Sequence, residues 1–334
     1  MSHIAVIGAG AWGTALARVL AAGSQKVTLW TWQPGHAQAM QRDQENREFL
    51  PGFALPTNLR PTADLEEALA GAELALLSVP SQVVRNVLER AKPWLGGIAC
   101  LVSATKGIEE GSLKLMSEVA SDVLGNDCAK KFIVLSGPSF AKEVACGMPT
   151  NVVVAGTEPA IVAHAQSVFS GERLRAYTSD DVLGVQLGGA LKNVIAIAAG
   201  ACDGIGFGNN TRAALITRGI AEITRLAVRR GANPLTLAGL SGLGDLVLTC
   251  TGELSRNRTV GFELGQGRRL GEILSGLGHV AEGVHTAKSA YEMSKIFDVE
   301  LPITAEVYRV LFDNKEPLQA VKDLVGRPLR RELD

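Results

Sequence analysis

The chain has 334 residues, of which 46% are hydrophobic and 20% are charged, and its formal net charge is −1. This length favours two domains, and the apolar content is sufficient for full-sized cores. The near-neutral charge gives no reason to expect binding to nucleic acid or to a membrane surface. We expect no membrane span, because the best apolar candidate, residues 184–202, contains Lys192. We also expect no cleavable signal, because the first residues already have a strand pattern.

Neither the cysteines nor the histidines have the spacing of a metal site or of a disulfide framework. The five cysteines are scattered along the chain, at Cys100, Cys128, Cys146, Cys202 and Cys250. The five histidines are equally dispersed, at His3, His36, His164, His279 and His285. The sequence therefore predicts no metal site, reduced thiols and a cytoplasmic location.

The first half of the chain alternates between strand and helix patterns. Six short apolar runs are predicted to be strands, at residues 3–7, 26–30, 73–79, 98–103, 132–135 and 151–154. Such nearly continuous apolar runs are typical of a parallel sheet that is covered on both faces. The predicted fold class is α/β, with a Rossmann-type doubly wound sheet domain over residues 1–181.

The second half of the chain lacks strand patterns. Helical spacing interrupted by Gly or Pro predicts helices near residues 182–200, 210–230, 258–270, 285–296 and 302–312. We therefore expect an all-α domain over residues 182–334.

A glycine-rich turn connects the first predicted strand to the first predicted helix, at residues 8–13. In this context Gly8 allows a tight turn, Gly10 lets a pyrophosphate approach the backbone, and Gly13 lets the helix pack closely on the strand. The start of the helix supplies free N–H groups for the phosphates. The motif predicts dinucleotide binding, and the alternative is a turn whose glycines serve packing alone.

The end of the second strand leaves the choice between NAD and NADP open. Residues 30–34 read WTWQP, without the acid that binds the ribose in NAD-preferring folds and without an arginine for a 2′-phosphate. Trp32 could stack on adenine, or it could be an aromatic residue at the rim of the sheet. An Asp introduced at residue 31 is expected to favour NADH, because it would accept from the ribose and repel a 2′-phosphate.

Two lysines lie where a dehydrogenase would need them. Lys106 follows the fourth strand, at the edge where open α/β sheets bind ligands, although it could be a solvated loop residue. Lys192 and Asn193 interrupt a helix that is otherwise built from small and apolar residues. Burial would lower the pKa of Lys192 and suit it to proton transfer, whereas the alternative is a side chain that reaches solvent from an exposed stripe.

A third polar cluster begins at Asp245 and continues to the segment SRNR at residues 255–258. Arg256 and Asn257 are predicted to start a helix, where an arginine and backbone N–H groups together would hold a phosphate. The alternative is an ordinary N-cap at Ser255 followed by solvated arginines.

These motifs resemble those of the glycerol-3-phosphate dehydrogenases, in particular the soluble bacterial NAD(P)+-dependent enzymes, over essentially the whole chain. The resemblance rests on GAGAWG at 8–13, SVPS at 78–81, SATKG at 103–107, LSGPSFAKEV at 135–144, LGGALKNVIAIAAG at 187–200, GLSGLGDL at 239–246 and SRNR at 255–258.

The resemblance implies a role for each matching residue. It implies Lys192 as the catalytic proton donor and acceptor. Around the substrate it implies Lys106, Gly137, Ser139, Lys192, Asp245, Ser255, Arg256 and Asn257. At the cofactor it implies Gly8, Gly10, Ala11, Trp12, Gly13, Trp32, Lys106, Ala141, Arg256 and Glu282. Asn193 and Thr249 are implied as secondary contacts.

The implied activity is the reversible reduction of dihydroxyacetone phosphate to sn-glycerol 3-phosphate by NADH or NADPH, at the start of glycerophospholipid synthesis. Many family members carry a basic residue within positions 31–33, and this chain does not. A homodimer is left open, and no nucleic-acid or integral membrane partner is expected.

Two other functions remain as alternatives. A two-domain dehydrogenase of a β-hydroxyacid such as 6-phosphogluconate is disfavoured by the GDL and SRNR segments. A non-catalytic NADPH-binding sensor is disfavoured because Lys192 and Asp245 are both present.

Overall fold

The structure is a computed structural model that describes residues 2–23, 25–125, 127, 130–277, 280–329 and 331–332. Cys128 and His279, two of the residues considered above for metal or disulfide chemistry, lie outside the described residues.

An eight-stranded sheet forms the first half of the molecule. Its strands are β1 (His3–Ile7), β2 (Lys26–Trp30), β3 (Leu59–Thr62), β4 (Leu74–Leu77), β5 (Cys100–Ser103), β6 (Phe132–Ser136), β7 (Thr150–Ala155) and β8 (Leu174–Ser179). Their order is β3-β2-β1-β4-β5-β6-β7-β8, so the chain order reverses between β1 and β4. Open sheets of this kind bind ligands at the carboxyl ends of the strands beside that reversal.

The two faces of the sheet carry separate apolar cores, as the nearly continuous apolar strands predict. On β1, Ile4 and Val6 belong to one buried cluster, while Ala5 and Ile7 belong to another. The helices that cover these faces are α1 (Ala11–Ala22), α2 (Pro34–Asp43), α3 (Leu65–Leu69), α4 (Val84–Leu95), α5 (Met116–Leu124), α6 (Ala141–Ala145) and α7 (Pro159–Phe169). The predicted fold class, a doubly wound Rossmann-type sheet followed by helices, is confirmed.

Two strands, β3 and β8, were not predicted from the sequence. β3 contains Arg60 and Pro61 at the edge of the sheet, and β8 at the opposite edge alternates buried with exposed residues, so neither has the continuous apolar run of a central strand.

The expectation of an all-parallel sheet was wrong at one pair. β6 and β7 run antiparallel, whereas the other strand pairs described are parallel. The intervening helix α6 has only five residues and spans about 7.5 Å. It is therefore too short to carry the chain back along the sheet for a parallel crossover.

The second half is built around one long helix, α8 (Val182–Ile205). Asp181 caps its start by accepting a hydrogen bond of 2.8 Å from the backbone N–H of Gly184, and Gly206 ends it with a positive φ of 97°. Every residue from Gly184 to Ile197 is buried. α8 is therefore the core of this half, and any polar side chain on it needs a partner.

The remaining helices pack around α8 or on one another. They are α9 (Asn209–Arg229), α10 (Pro234–Leu237), α11 (Asp245–Thr251), α12 (Arg256–Gly265), α13 (Leu270–Leu277), α14 (Glu282–Ile296), α15 (Pro302–Phe312) and α16 (Pro317–Val325). A short π-helical turn, Leu240–Gly244, leads into α11. α10, α11, α13 and α16 were not predicted, because they are short and follow Gly or Pro closely.

Two helical segments are long and apolar enough to cross a bilayer by length and composition alone. They are Val182–Ile205 and Pro234–Thr251, so the expectation that Lys192 would exclude such a segment was wrong. In the first, 83% of the most apolar window is buried inside the protein, as in the core helix of a globular domain.

Candidate active site

The glycine turn between β1 and α1 is packed as a dinucleotide-binding turn requires. Gly8 has a φ of +118°, and a Cβ there would collide with the carbonyl of Ser78 at the end of β4. A Cβ at Gly13 would collide with the carbonyl of Gly8. Gly10, in contrast, has no described atom within 4 Å of where its Cβ would be. The turn is therefore closed on the protein side and open on the side where a pyrophosphate would approach.

The start of α1 offers further groups to a cofactor. Ala11 is its first residue, and no side chain caps the helix at Gly10. The indole Nε1 of Trp12 is buried without a hydrogen-bond partner among the described residues. Trp12 and Ala141 flank the same small apolar cluster. The space beside Gly10, the free N–H groups at the start of α1 and the unpaired indole N–H of Trp12 together fit a bound dinucleotide.

The end of β2 differs from the sequence prediction. Thr31 is only 5% exposed and its hydroxyl lies 3.2 Å from Nδ1 of His36, whose Nε2 lies 3.0 Å from Oδ1 of Asn46. Asn46 in turn donates to the carbonyl of Ala9 at 2.8 Å. The side chain of residue 31 therefore points into a buried polar network, and an acid introduced there would not face a ribose.

Trp32 and Gln33 are the residues of this segment that face outward. Trp32 is 71% exposed, which leaves its indole free to stack on a base. Gln33 lines a cavity of about 280 Å³ together with His36, Asp43 and Glu48. Trp32 follows β2, which is separated from β5, the strand before Lys106, by β1 and β4.

At the carboxyl edge of the sheet, two lysines share one carboxylate. Lys192 on α8 donates to Oδ1 of Asp245 and, at 2.8 Å, to the hydroxyl of Thr249. Lys106, in the loop after β5, donates to Oδ2 of Asp245 at 2.6 Å and to the carbonyl of Gly137 at 3.0 Å. Asp245 is 1% exposed and Lys192 is 7% exposed. Thus the loops after β5 and β6 and the helices α8 and α11 meet in one network, which excludes the solvated-loop and snorkelling alternatives for these lysines.

The electrostatics of this network suit proton transfer. Burial lowers the pKa of Lys192 from 10.5 to about 8. The charge of Asp245 opposes that change, and the neighbouring charge of Lys106 reinforces it. Near neutral pH the Lys192 ammonium is therefore protonated and yet close to losing its proton, which is the condition for a general acid and base.

The loop after β6 joins the same network. Gly137 has a φ of +133°, which favours glycine, and a Cβ there would lie 3.1 Å from the carbonyl oxygen of Asn151. Its own carbonyl accepts from both Lys106 and, at 2.9 Å, the hydroxyl of Ser139. The predicted substrate residues Lys106, Gly137 and Ser139 thus form one corner of the site.

The start of helix α12 brings further predicted substrate residues to this site. Ser255 caps it by accepting from the backbone N–H of Arg258 at 3.2 Å. Asn257 donates to Oδ1 of Asn193 at 2.9 Å, directly beside Lys192 on α8, and accepts from the backbone N–H of Gly283 at 2.9 Å. The helix start that was predicted to hold a phosphate therefore lies against the helix that carries the lysine.

Glu282 connects the helical half to the sheet. Its carboxylate accepts from the backbone N–H of Ser81 at 3.0 Å and from the Ser81 hydroxyl at 2.5 Å. Burial raises the pKa of Glu282, and the bonds from Ser81 oppose the rise. Arg256 reaches solvent, but neighbouring protein atoms desolvate its guanidinium and lower its pKa, while the charge of Glu282 opposes that shift. Glu282 therefore lies against the loop that follows β4, and Arg256 is close enough to interact with its charge.

Sequence reasoning missed two supporting residues, Ser81 and Asn46, and gave a third, Thr249, a smaller role than its contacts indicate. Ser81 lies in the quoted SVPS motif, but nothing local shows that it anchors Glu282, which is 201 residues away. Asn46 has no motif of its own. Thr249 was expected to be secondary, yet it is the second hydrogen-bond partner of Lys192; its position four residues after Asp245 on a helix was the available signal.

A dinucleotide-binding sheet is joined to a helical half that holds a buried lysine paired with a carboxylate. This combination defines a two-domain nicotinamide-dependent dehydrogenase. Sequence comparison then gives the family. Residues 3–162 match the N-terminal part, and residues 181–322 the C-terminal part, of NAD-dependent glycerol-3-phosphate dehydrogenases, and the chain belongs to this family.

Individual relatives match over nearly the full length. The chain is 52% identical over 329 residues to a glycerol-3-phosphate dehydrogenase (NAD(P)+) of Citrifermentans bemidjiense, covering 98% of both proteins. It is 51% identical over 332 residues to the Syntrophotalea carbinolica protein of the same name, covering 99% of this chain and 100% of that protein. The crystal structure of glycerol-3-phosphate dehydrogenase from Coxiella burnetii superposes with a TM-score of 0.93 at 40% identity, covering 98% of this chain and 99% of that one.

Proposed function

We propose that the protein catalyses the reversible reduction of dihydroxyacetone phosphate to sn-glycerol 3-phosphate with NADH or NADPH. The observation that carries this proposal is the buried network in which Lys192 and Lys106 share the carboxylate of Asp245. The full-length similarity to enzymes of this name supports the choice of substrate. The product would feed glycerophospholipid synthesis, which is the role of the family.

The cofactor would be held by the glycine turn at residues 8–13, with Ala11 and Trp12 at the start of α1. Trp32 would contact the adenine, and Ala141, Lys106, Arg256 and Glu282 would complete the site. The bound nicotinamide supplies the hydride. The remaining steps fall to the residues of the chain, which must orient the ketone and deliver a proton.

Lys192 is the proposed proton donor to the ketone oxygen during reduction, and the proton acceptor in the reverse direction. Its pKa of about 8 allows both roles near neutral pH. Asp245 orients the ammonium and keeps it charged. Lys106 places a second positive charge beside the oxygen that becomes negative in the transition state.

The phosphate of the substrate is proposed to bind at the start of α12. Arg256 offers a planar pair of N–H donors, and the helix start offers backbone N–H groups and the positive end of its dipole. Asn257 is tied to Asn193 at 2.9 Å, so a phosphate bound here would hold the ketone at a set position relative to Lys192. Gly137, Ser139 and Ser255 would contact the substrate on its remaining sides.

The organisation of the chain is also part of the proposal. We place the domain boundary between residues 181 and 182, since β8 ends at Ser179 and α8 begins at Val182. A cytoplasmic location is supported by the cysteines among the described residues, all of which are free. A homodimer is the proposed assembly, and light scattering of the purified protein would test it.

The test of the activity is a nicotinamide absorbance assay on the purified protein with dihydroxyacetone phosphate, using NADH and NADPH in parallel. In the reverse direction, sn-glycerol 3-phosphate is compared with 6-phosphogluconate. We expect turnover of the three-carbon pair and none of the sugar acid. Turnover of 6-phosphogluconate alone would favour the β-hydroxyacid alternative, and cofactor binding without turnover of either substrate would favour the sensor.

A further inference from the structure

The helices α8 and α12 touch backbone to backbone. Glycines from both helices form the contact: a Cβ at Gly200 would collide with the carbonyl of Arg258, one at Gly204 with the carbonyl of Phe262, and one at Gly261 with the carbonyl of Ile197. Gly200 and then Gly204 meet the carbonyls of Arg258 and Phe262, and Gly261 and then Gly265 meet those of Ile197 and Ala201, so the two helices run in the same direction. Small residues permit this close approach, but they provide few side-chain ridges that would resist sliding of one helix along the other.

A buried ion pair links the two helices beside this contact. The carboxylate of Asp203, on α8, is 6% exposed, and its Oδ2 accepts from Nε of Arg258 at 2.9 Å and from Nη2 at 2.7 Å. Its Oδ1 accepts from Nε of Arg212 at 3.0 Å and from Nη2 at 2.6 Å. Both carboxylate oxygens are therefore occupied by guanidinium groups, one from α9 and one from α12.

This pair separates the two arginines of the SRNR segment. Arg258 is turned away from the substrate site toward Asp203, whereas Arg256 lies near Glu282 at the substrate side. The sequence analysis assigned a role to Arg256 and none to Arg258, whose partner becomes visible only in the structure. Arg258 is therefore committed to holding α12 in place and is not available to a phosphate.

The position of α12 along α8 matters for the site. An axial shift of one residue moves a helix by about 1.5 Å, which is enough to break the 2.9 Å hydrogen bond between Asn257 and Asn193. The same shift would displace Arg256 relative to Lys192 by a similar distance. A displacement of about 1 Å can cost an enzyme about 100-fold in activity.

We propose that Asp203 is a positioning residue: acting through Arg258, it sets the register of α12 on α8 and thereby the distance between the phosphate-binding end of the site and Lys192. This inference rests on the proposed function of Arg256 and Lys192. It assigns no contact with substrate to Asp203 itself.

The experiment compares the steady-state kinetics of the wild type, Asp203→Asn, Arg258→Met and the double variant in dihydroxyacetone phosphate reduction. We expect the KM for dihydroxyacetone phosphate to rise about 10-fold to 100-fold in each single variant. The dissociation constant of NADH, measured by fluorescence, should rise much less than the KM, because Arg256 is the one proposed cofactor contact on α12 and the glycine turn at residues 8–13 lies in the other half of the molecule. Since Asp203 acts through Arg258, the double variant should be no worse than the single ones.

The matched control is Glu263→Gln on α12, which removes an ion pair of 2.8 Å with Arg268, three residues beyond the end of that helix. It should leave the KM unchanged. If Arg258→Met proves too unstable to purify, Arg258→Lys replaces it. Lysine keeps the charge but cannot donate two hydrogen bonds to Asp203 in the same geometry, so its KM should lie between those of the wild type and Asp203→Asn.

The outcomes separate the two proposals. A wild type that fails to reduce dihydroxyacetone phosphate overturns the proposed function. An active wild type whose Asp203→Asn variant binds NADH normally and keeps its KM overturns the positioning role. Additive increases in KM in the double variant would also overturn it, because they would mean that the two residues act independently.

Discussion

The two charged partners of Lys192 act on its pKa in opposite directions: Asp245 raises it and Lys106 lowers it. The pH profile of the reaction is therefore a direct test of the site. In the reduction direction Lys192 must carry a proton, so the rate should fall as pH rises through its pKa of about 8. Asp245→Asn removes the charge that keeps this ammonium protonated, while burial and Lys106 continue to lower its pKa. The falling limb of the profile should therefore move to lower pH.

The magnitude follows from the geometry. At an effective dielectric constant of about 20, a unit charge about 4 Å away is worth about 4 kcal/mol. That is about three pKa units at about 1.4 kcal/mol per unit. Because Lys106 shares the carboxylate and water would screen the vacated position, we expect a shift of about one to three units. At pH 7.5 the protonated fraction, and with it the reduction rate, should fall between about 3-fold and about 200-fold.

Lys106→Met gives the complementary result. Removing this charge should raise the pKa of Lys192, so the falling limb should move to higher pH, although the plateau will also drop if Lys106 contacts the substrate. The assay is kcat against pH for dihydroxyacetone phosphate reduction, with both substrates saturating.

The control for both variants is Asp122→Asn, which also removes a carboxylate paired with two cations, Arg85 and Lys114, but at the surface. Its profile should match the wild type. Midpoints that move in the same direction in Asp245→Asn and Lys106→Met, or that do not move, would refute the reasoning.

Three further predictions concern the catalytic lysine, the phosphate and the cofactor, and a fourth concerns stability. Lys192→Ala should lower kcat by about 10²- to 10⁴-fold with cofactor affinity unchanged, and a variant that keeps half of the wild-type kcat would contradict its role. Arg256→Lys should raise the KM for dihydroxyacetone phosphate, because lysine keeps the charge but loses the planar fork; an unchanged KM would place the phosphate elsewhere. Gln33→Arg should raise kcat/KM for NADPH relative to NADH about tenfold. Thr31→Asp, in contrast, should lower Tm without changing the preference between NADH and NADPH, because residue 31 is buried. Burial raises the pKa of Glu222 to about 7, so ionising this carboxyl in the folded state costs about 3 kcal/mol, and the free energy of unfolding should fall between pH 4.5 and 7. Glu222→Gln should abolish this part of the pH dependence, measured by denaturant titrations at several pH values. An unaltered pH dependence would assign it to other groups.

Features of this protein that depend on local pattern could be predicted from its amino-acid sequence. The run of residues 3–7, the glycine turn and the small-residue helix are contiguous, so each constrains the next, and the dinucleotide-binding interpretation needs no distant contact. Lys192 was recognisable for a similar reason: a charged residue in a helix that is otherwise uniformly small and apolar must be either paired or functional.

Which distant groups meet became visible only in the folded chain. Asp245 is 53 residues from Lys192 and 139 from Lys106, and no spacing rule connects the three. Their meeting depends on where α8 and α11 dock on the carboxyl edge of the sheet, which is set by the packing of many apolar side chains together.

The same limit explains the errors. Position 31 was expected to face the ribose, yet Thr31 is buried against His36, whereas its neighbour Trp32 is 71% exposed. Arg258, for which the sequence suggested no role, pairs with Asp203, although it lies only two residues after Arg256 on the same helix. Periodicity describes which faces of a strand or helix are apolar, but it does not say what lies opposite a polar side chain. That is determined by the packing of elements far apart in the chain, because a buried charge or hydroxyl needs a partner wherever the fold supplies one.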